Sequence, residues 1–228
     1  MKILVNLPAL ILAVSFHEAA HAWVADKLGD STARLLGRVS LNPIRHVDLI
    51  GSIIVPIALA LMPGGFMFGW AKPVPVNSMN LGNPKRDDAL VSAAGPASNL
   101  VLALFAAILM RLAALLPDSS SFLRDPLLLL MFYLVFIDVI LAVFNMIPIP
   151  PLDGSGVLAA FLPDAAAEMY LSIRTFGMFI IMALVVADPL GIWSHFFSPV
   201  VMHITNIFGR VAGPGFLMAM DILMRGGS

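Results

Sequence analysis

The 228-residue sequence has no cysteine, only two glutamates, and little charge of either sign: 13 Lys and Arg against 14 Asp and Glu, 12% of all residues. Without Cys there is no disulfide scaffold, no thiolate metal ligand and no Cys nucleophile. A net charge of −1 gives no electrostatic footprint for nucleic acid, so no nucleic-acid partner is expected. What replaces charge is apolar surface. At 60% hydrophobic residues and a mean hydropathy of +0.95, the chain is neither disordered nor an ordinary soluble globule, and its expected environment is the lipid bilayer. Any metal site must be assembled from five His, twelve Asp and two Glu.

Crossing about 30 Å of hydrocarbon takes about 20 residues of helix. Apolar runs of that order lie at 3–25, 89–116, 127–147, 169–187 and 192–210, which predicts five crossings. A sixth run, 49–69, is broken by Pro56, Pro63, Gly64 and Gly65, and is expected to be re-entrant or membrane-associated. The fold class is therefore an all-α membrane protein, a polytopic bundle of five to six transmembrane helices. One integral domain is expected over 1–228, with its core at 3–160 and C-terminal helices at 169–224. The part played by 213–224 is left open. Lys2, the run Ile3–Phe16 and Ala20-His21-Ala22 imitate a secretory signal. The helical pattern nevertheless continues through Trp23 and Lys27 to Gly29, a natural helix C-cap, and reads as a retained first helix.

That helix carries His17-Glu18-Ala19-Ala20-His21, the HExxH pattern. At 100° per residue, positions i and i+4 share one face, so both imidazoles can bind one Zn²⁺. Glu18 lies beside them, placed to take a proton from a water and pass it to a leaving amine. With so few His and Glu, the chance expectation for this pattern is on the order of one in a thousand. Ionisable groups in a membrane helix are costly and mark function by default. HExxH supplies two ligands, and a third must come from elsewhere. Asp153 leads. It ends Asn145-Met146-Ile147-Pro148-Ile149-Pro150-Pro151-Leu152-Asp153-Gly154, where the prolines end the helix and leave backbone groups that lipid cannot satisfy. Such backbone is tolerated at membrane depth where it is buried in protein or lines a wet cavity. An ordinary exposed turn is the alternative reading of 148–154.

Taken together, these motifs resemble the site-2 protease family of intramembrane zinc metalloproteases. The resemblance rests on His17-Glu18-Ala19-Ala20-His21, on the Asn-x-x-Pro-x-Pro-x-Leu-Asp-Gly pattern at 145–154, and on Ala94-Gly95-Pro96-Ala97-Ser98-Asn99 between them. Gly69-Trp70-Ala71-Lys72-Pro73-Val74-Pro75-Val76-Asn77 is typical of compact members. The resemblance implies one catalytic Zn²⁺ held by His17, His21 and Asp153, with Glu18 as catalytic base. It also implies that Asn145 binds substrate, and Asn99 stands where members carry a similar polar residue, here read as substrate-binding. The implied partner is a transmembrane protein or peptide substrate, in a prokaryotic plasma membrane. The chain leaves no room for the PDZ or CBS domains of many relatives, and His17 lies in the first helix rather than a later one.

A shared metal requires His21 and Asp153 at the same depth. Both follow the C-terminal part of a predicted crossing, so an even number of crossings must separate them. Counting 49–69 gives three; omitting it gives two. Charge agrees: with 49–69 not crossing, ten of the thirteen Lys and Arg fall on one face, which is then cytoplasmic. The N-terminus is then outside and the active site near the cytoplasmic face. The expected reaction is hydrolysis of a peptide bond in or near a membrane-spanning segment, which must unwind before attack. A metal transporter is the first alternative, weakened by the lack of an internal repeat, and an inactive scaffold the second. His46 reads as a surface or interfacial residue. Asp138, inside an apolar helix, has no assignable partner beyond a pairing with Arg111 or a place facing the cavity.

Overall fold

The computed structural model describes residues 2–60, 72–188 and 191–225. Every regular element among them is helical. Among the described residues, three helices are long and apolar enough to cross a membrane: α1 (Lys2–Lys27), α4 (Pro84–Ala113) and α5 (Ser121–Asn145). Between α1 and α4 come the short α2 (Thr32–Leu35), a wide π-helical turn Leu49–Ile54 and α3 (Val55–Ala60). After α5 come α6 (Asp153–Ala159), α7 (Asp164–Ser172), α8 (Arg174–Ala187), α9 (Ser198–Ala212) and α10 (Pro214–Arg225).

The three long helices pack on one another through small residues. Ala9 and Ala13 of α1 and Ala106 and Ala107 of α4 are fully buried, with Leu128 and Val135 of α5 against them. Between membrane helices lipid removes the hydrophobic drive, so close backbone approach and dispersion must supply the attraction, and alanine permits that approach. Large side chains on the other faces, Val101 and Phe105 among them, are exposed, as a lipid-facing surface requires.

α1 ends where the sequence indicates. Gly29 has φ +114°, its N–H bonds to Asp26, and the Asp30 N–H returns to Ala25 at 2.9 Å, a Schellman closure. A side chain at Gly29 would collide with the Asn80 carbonyl. Asp30, fully buried, then accepts from the Asn77 N–H at 2.7 Å, the Asn80 amide at 2.9 Å, and both the N–H and hydroxyl of Thr32. This pins the far end of an extended segment, 72–77, whose near end is held by Arg38 on the Lys72 carbonyl and by the His46 carbonyl accepting from the Lys72 N–H. His46 is therefore not a surface residue. It is fully buried and bonded to the Ser40 carbonyl at 2.6 Å.

Among the described residues, fewer unbroken helices are long enough to cross than the hydropathy pattern predicts. The run 169–187 is divided between α7 and α8 at Ile173, because this part of the chain wraps the proline-rich loop instead of running straight. The Tyr170 hydroxyl donates to the Pro148 carbonyl at 2.7 Å, and Gly177 lies against Pro150 and Pro151. The run 192–210 begins as a wide turn, Trp193–Phe197, and α9 then bends by 115° into α10 at Gly213. Counted as one span, that pair makes a fourth candidate. Of 49–69, the described part ends at Ala60 and holds no helix long enough to cross; 61–69 lies outside the described residues, as does the 69–71 part of the Gly-Trp-Ala motif. Arg111 does not pair with Asp138. Its guanidinium caps the end of α9, donating to the Val211 carbonyl at 3.1 Å.

Candidate metal centre

His17 and His21 lie on the buried face of α1, turned toward α4. The end of α5 and the proline-rich loop bring Asp153, at the start of α6, to the same place. The metal-binding atoms of the three side chains all lie within 4.8 Å of one another. The two Nε2 atoms are 3.1 Å apart, His17 Nε2 is 3.1 Å from Asp153 Oδ2, and His21 Nε2 is 3.4 Å from Asp153 Oδ1. Ligand atoms about 2.0–2.2 Å from a single tetrahedral Zn²⁺ would stand about 3.3–3.6 Å apart. The separations, taken to the two Asp153 oxygens in turn, lie close to that range.

The acceptors behind the imidazoles decide which atoms carry protons. His21 Nδ1 lies 2.7 Å from the Val91 carbonyl, which can only accept, so Nδ1 carries the hydrogen. His17 Nδ1 lies 2.7 Å from Asn99 Oδ1, and the Asn99 amide nitrogen donates elsewhere, so this Nδ1 is protonated as well. In the neutral rings both Nε2 atoms are then bare lone pairs, facing each other and a carboxylate. Three electron-pair donors at such separations repel unless a cation stands between them. Asp153 Oδ2, buried and without a hydrogen-bond partner, makes the same demand.

The room for this arrangement is made by Gly95. A Cβ there would fall 2.5 Å from His17 Cε1 and 2.7 Å from His17 Nε2, and closer still to His21 Nε2. Pro96, next in the chain, cannot donate to the Ser92 carbonyl, so a rung is missing from α4 beside the turn whose Val91 carbonyl holds His21.

Over 189 residues, 80% of each chain, the sequence is 37% identical to a Bacillus subtilis (strain 168) protein named "Putative zinc metalloprotease YwhC". The chain belongs to the site-2 protease family. Two mycobacterial members of that family are also similar. A Mycolicibacterium smegmatis protein named "Putative zinc metalloprotease Rip2" is 29% identical over 80% of this chain and 67% of its own. Its Mycobacterium tuberculosis (strain H37Rv) namesake is 27% identical over 92% of this chain and 77% of its own. No family model matches the chain, and no solved structure does. The names support a metalloprotease role with zinc as the metal.

Within this member of the family, the predicted residues separate. Glu18 is half-buried, and its Oε2 accepts the Val74 N–H at 2.9 Å, so the extended segment 72–77 runs past the carboxylate. Asn99 lies behind His17. It is fully buried, its oxygen is taken by His17, and its amide donates to the Ala13 carbonyl at 3.1 Å and to Asp138 Oδ1 at 2.6 Å. Both amide hydrogens are taken, and the oxygen lies against a candidate metal ligand. Asn145, at the end of α5, donates back to the Leu141 carbonyl at 3.0 Å. Sequence reasoning missed Val91, Val74 and Gly95. Gly95 lies within the motif quoted for the family resemblance, but its packing role depends on how α4 meets α1.

Proposed function

We propose that the protein is an intramembrane zinc metalloendopeptidase that hydrolyses peptide bonds in or near the membrane-spanning segments of protein or peptide substrates. The observation that carries the reading is the convergence of two bare imidazole nitrogens and a carboxylate beside Glu18, on helices apolar enough to span lipid. His17, His21 and Asp153 would hold one Zn²⁺. The ion supplies Lewis acidity, lowering the pKa of water and polarising a carbonyl. Glu18 accepts a proton from the attacking water and returns it to the leaving nitrogen as the C–N bond breaks. The Val74 N–H holds Glu18 Oε2 and so fixes the orientation of that carboxylate. A helical substrate must unwind to present a bare carbonyl, and the extended segment 72–77 and the proline-rich 147–152 offer backbone for strand addition. The protein acts as one integral, multi-pass domain, with its N-terminus outside and its site near the cytoplasmic face.

The test is to purify wild type and Glu18→Gln, measure bound zinc, and assay cleavage of a membrane-helix substrate. Zinc in both and cleavage in wild type alone is the expected result, with a loss of about 10²–10⁴-fold for a missing general base. Zinc in both with equal turnover would overturn the role of Glu18. Cleavage by neither would favour a transporter or an inactive scaffold.

A further inference from the structure

The metal ligands do not account for the most expensive polar group in the membrane core. Asp138, in the C-terminal half of α5, has no exposed surface, and its Oδ2 has no hydrogen-bond partner among the described residues. A buried carboxyl half-satisfied costs stability, and interhelical hydrogen bonds in membrane proteins return only about 0.6 kcal/mol on average. Holding helices together is a poor reason for an aspartate here. Its one bond is informative: Oδ1 accepts from Asn99 Nδ2 at 2.6 Å, and Asn99 Oδ1 accepts from His17 Nδ1 at 2.7 Å.

We infer that Asp138 and Asn99 form an outer relay that sets the tautomer of His17, making Asp138 a positioning residue for metal binding. An amide can present either its oxygen or its nitrogen to His17. Presented as oxygen, it requires the proton on Nδ1 and leaves Nε2 bare for the metal. Presented as nitrogen, it would donate to Nδ1, move the proton to Nε2 and close the site. The carboxyl group opposite the amide resolves the choice, because its Oδ1 accepts and so draws the NH₂ toward itself. The Ala13 carbonyl, taking the second amide hydrogen at 3.1 Å, reinforces it. The relay runs from α5 through α4 to α1, so metal affinity depends on the packing of all three helices. His21 needs no such device, since the Val91 carbonyl cannot donate. Outer partners of metal-binding histidines typically contribute 10–100-fold to affinity.

The inference rests on the metal centre proposed above, and the experiment separates the two. Zinc affinity is measured by chelator competition on detergent-purified full-length protein, with the Co²⁺ visible spectrum as a report on ligand geometry and thermal unfolding of the metal-free protein as a control. Asp138→Leu and Asn99→Leu are expected to weaken zinc binding about 10–100-fold and alter the Co²⁺ spectrum, while metal-free stability holds or rises. The double variant Asn99→Asp with Asp138→Leu places an obligate acceptor against His17 without the relay, and is expected to restore affinity. Zinc binding by Asp138→Leu equal to wild type, with His17→Ala abolishing it, would overturn the relay and leave the metal centre standing. An affinity loss matched by a fall in metal-free stability and not rescued by Asn99→Asp would also overturn it, showing a structural role. Wild-type binding insensitive to His17→Ala and Asp153→Ala would overturn both.

Discussion

Gly95→Ala adds one methyl group at the point where the two imidazoles meet. Built on the α4 backbone, that Cβ lies 2.5 Å from His17 Cε1 and 2.7 Å from its Nε2. Unbonded carbon needs about 3.5 Å or more from such atoms, so the gap is short by close to 1 Å. The backbone of α4 cannot yield easily, being packed on α1 and α5 through buried alanines. The atoms that give way are the free ends of His17 and His21, which can turn aside at modest cost. Overpacking typically costs about 1–3 kcal/mol, and replacing a mid-helix Gly by Ala returns up to about 1 kcal/mol, so metal-free stability is expected to fall by no more than about 2 kcal/mol. Metal binding has no such tolerance. Ligand distances must hold to within about 0.2 Å, and a displacement several times larger removes at least one ligand. The assay is zinc content after dialysis, together with thermal unfolding in detergent with and without added zinc. For wild type at zinc about 100-fold above its Kd, binding should stabilise by about 2.7 kcal/mol. Gly95→Ala should unfold at or below metal-free wild type, within that margin of about 2 kcal/mol, and show no zinc-induced shift. A variant that keeps both full zinc content and the full shift would refute the idea that Gly95 clears space for the ligands.

Two further predictions concern the surroundings of the site. Asp30 is held at about 2, since the hydrogen bonds from Thr32, Asn77 and Asn80 outweigh the raising effect of burial. With an ordinary value of 3.8, its contribution of about 2 kcal/mol is complete above pH 4 and is lost as pH falls through about 2. Asp30→Asn should therefore lower unfolding stability by about 1–2 kcal/mol at pH 7, with the gap to wild type closing on acidification; a gap independent of pH would contradict it. Single cysteines at 72 and 85 in this Cys-free chain should both react with membrane-impermeant reagent from the cytoplasmic side, because 49–69 is proposed not to cross. Labelling from the outer side would sink that arrangement.

How far the site could be read from sequence follows from how local each part is. HExxH was legible because helical geometry alone puts His17 and His21 on one face, and α1 extends as a single helix through both. Asp153 was legible because prolines cannot continue α5, and a broken backbone at the end of an apolar run demands burial or water. The paths of 169–187 and 192–210 were not legible. Hydropathy counts apolar residues but does not register that Tyr170 and Gly177 grip the proline-rich loop, or that Gly213 takes φ +58° at the α9–α10 bend. Asn99 and Asp138 were the hardest. Each lies in a strongly apolar helix, and what it touches depends on the rotation of α4 and α5 about their own axes relative to α1. Small alanines along the contact fix that rotation, and it places Asn99 behind His17 rather than in the cleft. A polar residue in an apolar helix therefore signals function, while the kind of function is set by helix packing, which no single helix encodes.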